Sequence, residues 1–164
     1  CTSASATLGD QVVFDALQEG KPGTPATNPA LAGVTAAKAL GASNIALLTP
    51  YPEAASQKLA DYFASKGCGI ISHHCLNLEN DRDIAHVNQE DLIKTVLEID
   101  QPGADAVFLS CTSLPAVEVI RRLEDRLGKP VITSNQAMIW MALRLAGCDY
   151  QAPEGGRLFT LDLP

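Results

Sequence analysis

Four short apolar runs, each followed by a segment of helical periodicity, restrict the folds open to this chain of 164 residues. The runs are "SNIALLTP" (43–50), "CGIISHH" (68–74), "ADAVFLS" (104–110) and "PVITS" (130–134). Each is too short for a buried helix, and the first and third lack alternation, the pattern of a strand covered on both faces. The segments between them read as helices. Residues 52–67 place Ala55, Leu59, Tyr62 and Phe63 at helical spacing, with Pro52 in the first turn and Gly67 closing the end. Further helices are predicted at 88–99 with Asn88 as cap, at 114–128 with Pro115 in the first turn, and at 135–147 with Asn135 as cap. Strands joined by helical crossovers of this length run parallel, so the predicted fold is α/β, a doubly wound parallel sheet. Upstream, helices are expected over 6–19 and 29–41, joined by "EGKPGTPATN" as a loop holding a short strand. The tail, 152–164, reads as a mobile terminus or an interface strand.

The formal net charge of −7 argues against nucleic acid and against an anionic membrane surface as partners. A small anion would have to be held locally, by oriented amides and hydroxyls. No apolar stretch reaches ~18 residues and no leader pattern is visible, which points to a soluble cytoplasmic protein. The five cysteines (Cys1, Cys68, Cys75, Cys111 and Cys148) are odd in number and lack the spacing of a disulfide framework, as expected of reduced thiols. "SHHC" (72–75), with Cys68 and His86, invites a metal reading. Strand alternation sends His73 and His74 to opposite faces and no paired-ligand spacing is present, so no metal is expected. Cys68 and Cys148 read as structural, Trp140, Met138 and Met141 as core or subunit contacts, and the acidic run 77–83 as a solvated loop.

Cys-Thr-Ser occurs twice, at 1–3 and at 111–113. The second copy follows the third strand directly and precedes a predicted helix. It therefore sits at the carboxyl edge of a parallel sheet, where ligands bind, beside a helix start that favours an anion. The first copy also precedes a predicted helix, and by analogy the chain is expected to begin at a strand–helix junction of a longer protein. Thr and Ser are common caps and Cys a common strand-end residue. Two copies at matching junctions nevertheless favour a paired-thiol site. Neither copy has a histidine partner, and no G-x-S-x-G elbow exists. Two thiols facing one carboxylate, one ionised and one protonated, suit proton transfer or covalent addition at the adjacent carbon.

"CTSAS", "LLTPYPEAASQKLADYFASKG", "FLSCTSLPA" and "PVITSNQAMIWMALRLAG" together resemble the aspartate/glutamate racemase superfamily. The resemblance is to its branch with maleate cis-trans isomerase, arylmalonate decarboxylase and the ectoine-utilization protein A group. It implies two pseudo-symmetric flavodoxin-like lobes with the site between them. Here the first lobe is incomplete: 1–42 would be its remnant, 43–134 the second lobe, and 135–164 a helix and tail returning to the first. It further implies Cys1 and Cys111 as the catalytic thiols and Thr2, Ser3, Thr112 and Ser113 as carboxylate binders. Tyr51 would hydrogen-bond a substrate carboxylate, and Asn80 is the candidate for the family's loop asparagine. No cofactor is implied; a small carboxylic acid is the expected substrate and a homodimer the expected assembly. The implied function is a two-cysteine isomerase or racemase acting on a small dicarboxylate or amino-acid-like acid. The alternatives are a non-catalytic carboxylate-binding protein linked to ectoine utilization, or an arylmalonate-type decarboxylase. The family's decarboxylase lacks the first thiol, so the presence of both cysteines favours isomerase or racemase.

Overall fold

All four apolar runs become strands in a computed structural model covering residues 1–164. They are β1 (Asn44–Thr49), β2 (Gly69–Cys75), β3 (Ala106–Leu109) and β4 (Val131–Thr133), all parallel, in the order β2-β1-β3-β4. Every residue of β3 and β4, and all of β1 except Asn44, is buried, which is why these runs carry no polar alternation. β2 lies at an edge and is only partly covered, which accommodates its Ser72, His73 and His74.

Eight helices surround the sheet: α1 (Thr2–Leu8), α2 (Asp10–Gly20), α3 (Pro29–Ala39), α4 (Glu53–Ser65), α5 (Asp81–Ala85), α6 (Gln89–Ile99), α7 (Ile120–Leu127) and α8 (Ser134–Leu145). The β1–α4–β2 crossover steps one way along the sheet and β2–α6–β3 steps back past β1. Right-handed crossovers then force α4 and α6 onto opposite faces. α1, α3, α4 and α8 pack among themselves on one side, and α6 packs with α7 on the other. The sheet is thus wound on both faces, as the strand–helix alternation predicts. α3 seats very close to β3 because residue 33 is glycine: a Cβ there would lie 2.7 Å from the Phe108 ring and 3.0 Å from that of Phe63. Those two rings pack at 4.8 Å between centroids in the core. No helix is long and apolar enough to cross a membrane.

Several boundaries differ from the sequence reading. The helix expected over 6–19 is two helices, broken at Gly9, whose φ of 85° closes α1 and redirects the chain. The joint 19–28 holds no strand. Pro22 and Pro25 cannot donate to a ladder, and the Gln18 side chain satisfies Gly23 N and Thr24 O instead. The helix expected from 114 starts later: residues 111–116 are irregular, Val117–Val119 form a 3₁₀ turn, and α7 begins at Ile120. Pro115 disfavours helical geometry at Leu114, which accounts for the delay. The cap of α8 is Thr133, in a reciprocal capping box with Gln136, and not Asn135. Within the run 77–83, Asn80 caps the short α5.

The tail contains no strand. It folds back through two 3₁₀ turns, Pro153–Gly155 and Arg157–Thr160, and buries Leu158. Arg144 of α8, its side chain almost fully buried, donates to the carbonyls of Cys148, Tyr150, Phe159 and Leu161 and pairs with Asp162. Trp140 is fully buried and donates to Leu161 O at 2.8 Å, so it is a core residue.

Candidate active site

The strand register brings the carboxyl ends of three strands level. Leu48 pairs with Leu109, and Leu109 with Thr133, so Tyr51, Ser110–Cys111 and Ser134 emerge along one edge. β1 and β3 are neighbours whose outgoing connections leave to opposite faces. This is the topological switch point of the fold, and the crevice beyond it is where open α/β sheets bind ligands.

Tyr51 is buried at this point. Its hydroxyl lies 3.2 Å from Ser110 Oγ and accepts from the Cys1 thiol at 3.8 Å, and the Cys111 side chain lies near enough to influence it. One phenol therefore neighbours the cysteines of both Cys-Thr-Ser copies, which are 110 positions apart in the sequence. Burial pushes the Tyr51 phenol far above its ordinary range. The neighbouring Cys111 pushes the same way, while Ser110 and Thr2 oppose it. Tyr51 is thus a neutral donor at any physiological pH.

The two copies also meet through a residue that the sequence reading did not assign. Thr2 Oγ1 donates to Ser134 Oγ at 2.7 Å, and the backbone N–H of Cys111 donates to the same oxygen at 3.1 Å. Both Thr2 and Ser134 are fully buried. Ser110 and Ser134 share a signal with Cys111, since each stands immediately after a strand at the carboxyl edge. Asn135, a cap by its sequence position, instead donates to Thr112 O at 3.0 Å and so ties the 111–116 loop to α8.

Identical tripeptides take different conformations here. Cys1 stands at the cap of α1, where its carbonyl accepts from Ser5 N, and its Sγ lies 3.2 Å from Ser3 Oγ. Cys111 adopts φ of 101°, a region that residues with a Cβ rarely occupy, and accepts at Sγ from the Ser113 amide at 3.4 Å. Because α7 begins nine residues later, its dipole does not reach Cys111, whose sulfur is met instead by the Ser113 amide. Accessibility divides the pair too: Cys1 is exposed, whereas Cys111 is only 2% exposed.

The remaining predicted residues lie to one side. Ser113 Oγ turns toward α5 and donates to Asp81 Oδ1 at 3.3 Å. Asn80 accepts from Asp83 N at 3.0 Å and donates to Asp83 Oδ2 at 2.6 Å, so its side chain is engaged in the cap of α5, outside the thiol cluster. His73 joins a polar chain, His73–Ser56–Thr49, that links β2, α4 and β1. No three His, Cys, Asp or Glu side chains converge as a metal cluster would require.

Comparison with known proteins agrees with this architecture. The family described as arylmalonate decarboxylase (Amdase) matches residues 10–159. The arylmalonate decarboxylase of Bordetella bronchiseptica is 32% identical over 140 residues, which cover 84% of this chain and 58% of that protein. The maleate isomerase of Alcaligenes faecalis is 27% identical over 137 residues, covering 83% and 54%. The chain thus spans about half the length of the curated relatives it matches. A solved structure of a Nocardia farcinica maleate cis-trans isomerase mutant, with a covalently bound succinylcysteine intermediate, aligns with a TM-score of 0.90 at 24% identity. That alignment covers 98% of this chain and 69% of the other. A family match running over residues 10–159, on the parallel α/β architecture described above, places the chain in the arylmalonate decarboxylase family.

Proposed function

We propose that this chain belongs to a cofactor-independent two-cysteine isomerase acting on a small dicarboxylate, with maleate-to-fumarate conversion as its type reaction. The observation that carries the reading is the Tyr51 hydroxyl, the shared neighbour of both Cys-Thr-Ser thiols. A decarboxylase needs one thiol as its proton donor; two thiols about one donor support addition and elimination instead. The curated maleate isomerase relative and the succinylcysteine intermediate of the Nocardia enzyme support the same chemistry.

In this mechanism the exposed Cys1, as thiolate, attacks one alkene carbon and forms a C–S bond. The alkene electron pair moves onto the neighbouring carbon and its carboxylate, and the Cys111 thiol delivers a proton there. The result is a succinyl adduct whose former double bond is now free to rotate. Cys111 thiolate then removes a proton, the double bond re-forms, and the C–S bond breaks to release the trans isomer and restore the Cys1 thiolate. Tyr51, held neutral, donates to a substrate carboxylate as charge builds on it. Of the hydroxyls that the resemblance implies, Ser3 and Thr112 complete the carboxylate cradle, since Thr2 is buried against Ser134, Ser113 turns to Asp81 and Asn80 caps α5. All five cysteines are free, which supports a reducing cytoplasm as the working compartment, and a homodimer belongs to the same reading.

The test is incubation of the full chain with maleate, an arylmalonate and aspartate in deuterated water, followed by proton NMR. Maleate should yield fumarate, and Cys1→Ser and Cys111→Ser should each lower that rate by at least about a hundredfold. Loss of carbon dioxide from the arylmalonate with no action on maleate, or full activity in either serine variant, overturns the reading.

A further inference from the structure

We infer that Ser134 is a positioning residue that couples the two Cys-Thr-Ser copies, through one hydroxyl oxygen that accepts from both Thr2 and the Cys111 backbone. The inference rests on the two-cysteine reading for its kinetic arm only.

The argument starts from Cys111. Its φ of 101° is unfavourable for any residue bearing a Cβ, and such geometry persists only where surrounding contacts over-determine it. Two hydrogen bonds of Cys111 itself bear on it, beside the tie from Asn135 to the next residue's carbonyl. The Ser113 amide donates to Cys111 Sγ, and the Cys111 amide donates to Ser134 Oγ. The first lies within the same loop and moves with it. The second is an anchor outside the loop, at the first residue of α8, a helix fixed by its capping box. Ser134 therefore sets where the Cys111 backbone stands relative to the sheet edge.

The same oxygen fixes the other copy. Thr2 Oγ1 donates to it at 2.7 Å, and Thr2 is the first residue of α1, next to Cys1. A hydroxyl oxygen has two acceptor sites, and these two bonds fill both. Each donor thus depends on an oxygen that the other also orients, in a site closed to water, where a lost partner is not replaced. A disturbance at Thr2 should reach Cys111 through Ser134, although no hydrogen bond joins Thr2 to the Cys111 backbone directly.

The experiment uses four variants of the full chain: Thr2→Val, which keeps the shape and removes the donor; Thr2→Ser, which keeps the hydroxyl; Ser134→Ala; and the Thr2→Val/Ser134→Ala double. Iodoacetamide labelling of Cys111 is followed by peptide mass spectrometry, and kcat and KM are measured on whichever acid the wild type converts. Thr2→Val and Ser134→Ala should each raise the Cys111 labelling rate by about threefold or more as the loop relaxes, while the double variant matches Ser134→Ala instead of multiplying the effects. Thr2→Ser should stay within about twofold of wild type, the size expected of an uncoupled change. In the kinetic arm, kcat should fall roughly ten- to a hundredfold with KM changed far less, because the loss is one of alignment. Unchanged Cys111 labelling in Thr2→Val, or independent effects in the double variant, overturns the inference. If Ser134→Ala does not fold, Thr2→Val against Thr2→Ser decides alone. If the wild type converts no acid, the two-cysteine reading fails and the labelling arm still decides this one.

Discussion

The conformation of Cys111 yields a stability order opposite to the usual one. In ordinary backbone regions glycine is less stable than alanine by about 0.5–1 kcal/mol, because it loses more freedom on folding. At φ of 101° the balance shifts, since a Cβ in such a region costs on the order of 1–3 kcal/mol and glycine pays nothing. Cys111→Ala and Cys111→Gly remove the same sulfur and the same Ser113–Sγ contact, so their difference isolates the backbone conformation. Subtracting the entropic term leaves the glycine variant more stable by about 1 kcal/mol at mid-range and by up to about 2.5 kcal/mol. For a chain of this size each kcal/mol corresponds to roughly 2–4 °C in Tm. Urea unfolding at neutral pH with reductant, followed by far-ultraviolet circular dichroism, measures the difference. An alanine variant equal to or more stable than the glycine variant refutes the argument that Cys111 is strained. Under the proposed function both variants are inactive, so the position would show a thiol retained at the expense of stability.

Gly33→Ala should destabilise the fold by about 1–3 kcal/mol despite the better helix propensity of alanine, because its Cβ meets the buried Phe108 ring at 2.7 Å. A lowered urea midpoint, restored in part by Phe108→Leu, checks this. Asp10 accepts from Tyr62, Asn28 and Lys66 at the start of α2. Burial raises its carboxyl, but those hydrogen bonds together outweigh it and hold the group below the usual carboxylate range. A carboxyl lowered in the folded state stabilises the protein above its unfolded value, about 3.9, and loses that contribution as the pH falls through the folded value. The Tm advantage of wild type over Asp10→Asn should therefore be constant from pH 7 to 5 and shrink below pH ~4. An advantage that does not change with pH contradicts it.

The strand–helix alternation was legible because short apolar runs of five to eight residues, set between segments of helical periodicity, admit one reading in a doubly wound sheet. The helix at 88–99 was equally clear: its Asn88 cap accepts from Glu90 and Asp91 as expected. What the sequence hid was set by single backbone conformations. Gly9 splits one helical pattern, and Pro115 defers another. The twin tripeptides look alike in the sequence, but one is followed by Ala-Ser and enters α1, whereas the other is followed by Leu-Pro and stays irregular. The two cysteines could be singled out because their tripeptide recurs at matching junctions, and Tyr51 because the family resemblance implies it. Ser134 could not. A serine after a strand is ordinary, and its importance comes from register, which aligns the ends of β1, β3 and β4 and brings α1 over them.

Arg144 bears on how the molecule opens. The segment after α8 has no regular element longer than four residues, and four of its carbonyls converge on one buried guanidinium. A strand or helix distributes its backbone bonds and can fray one residue at a time. A segment gathered on a single cation cannot shed one carbonyl without leaving a charged group partly unsolvated, so it leaves or stays as a unit. Its release would also uncover Trp140, Leu158 and the back of α8, the helix whose first residue is Ser134. The tail thus closes as one latch on the carboxyl end of α8, the helix whose amino end carries Ser134.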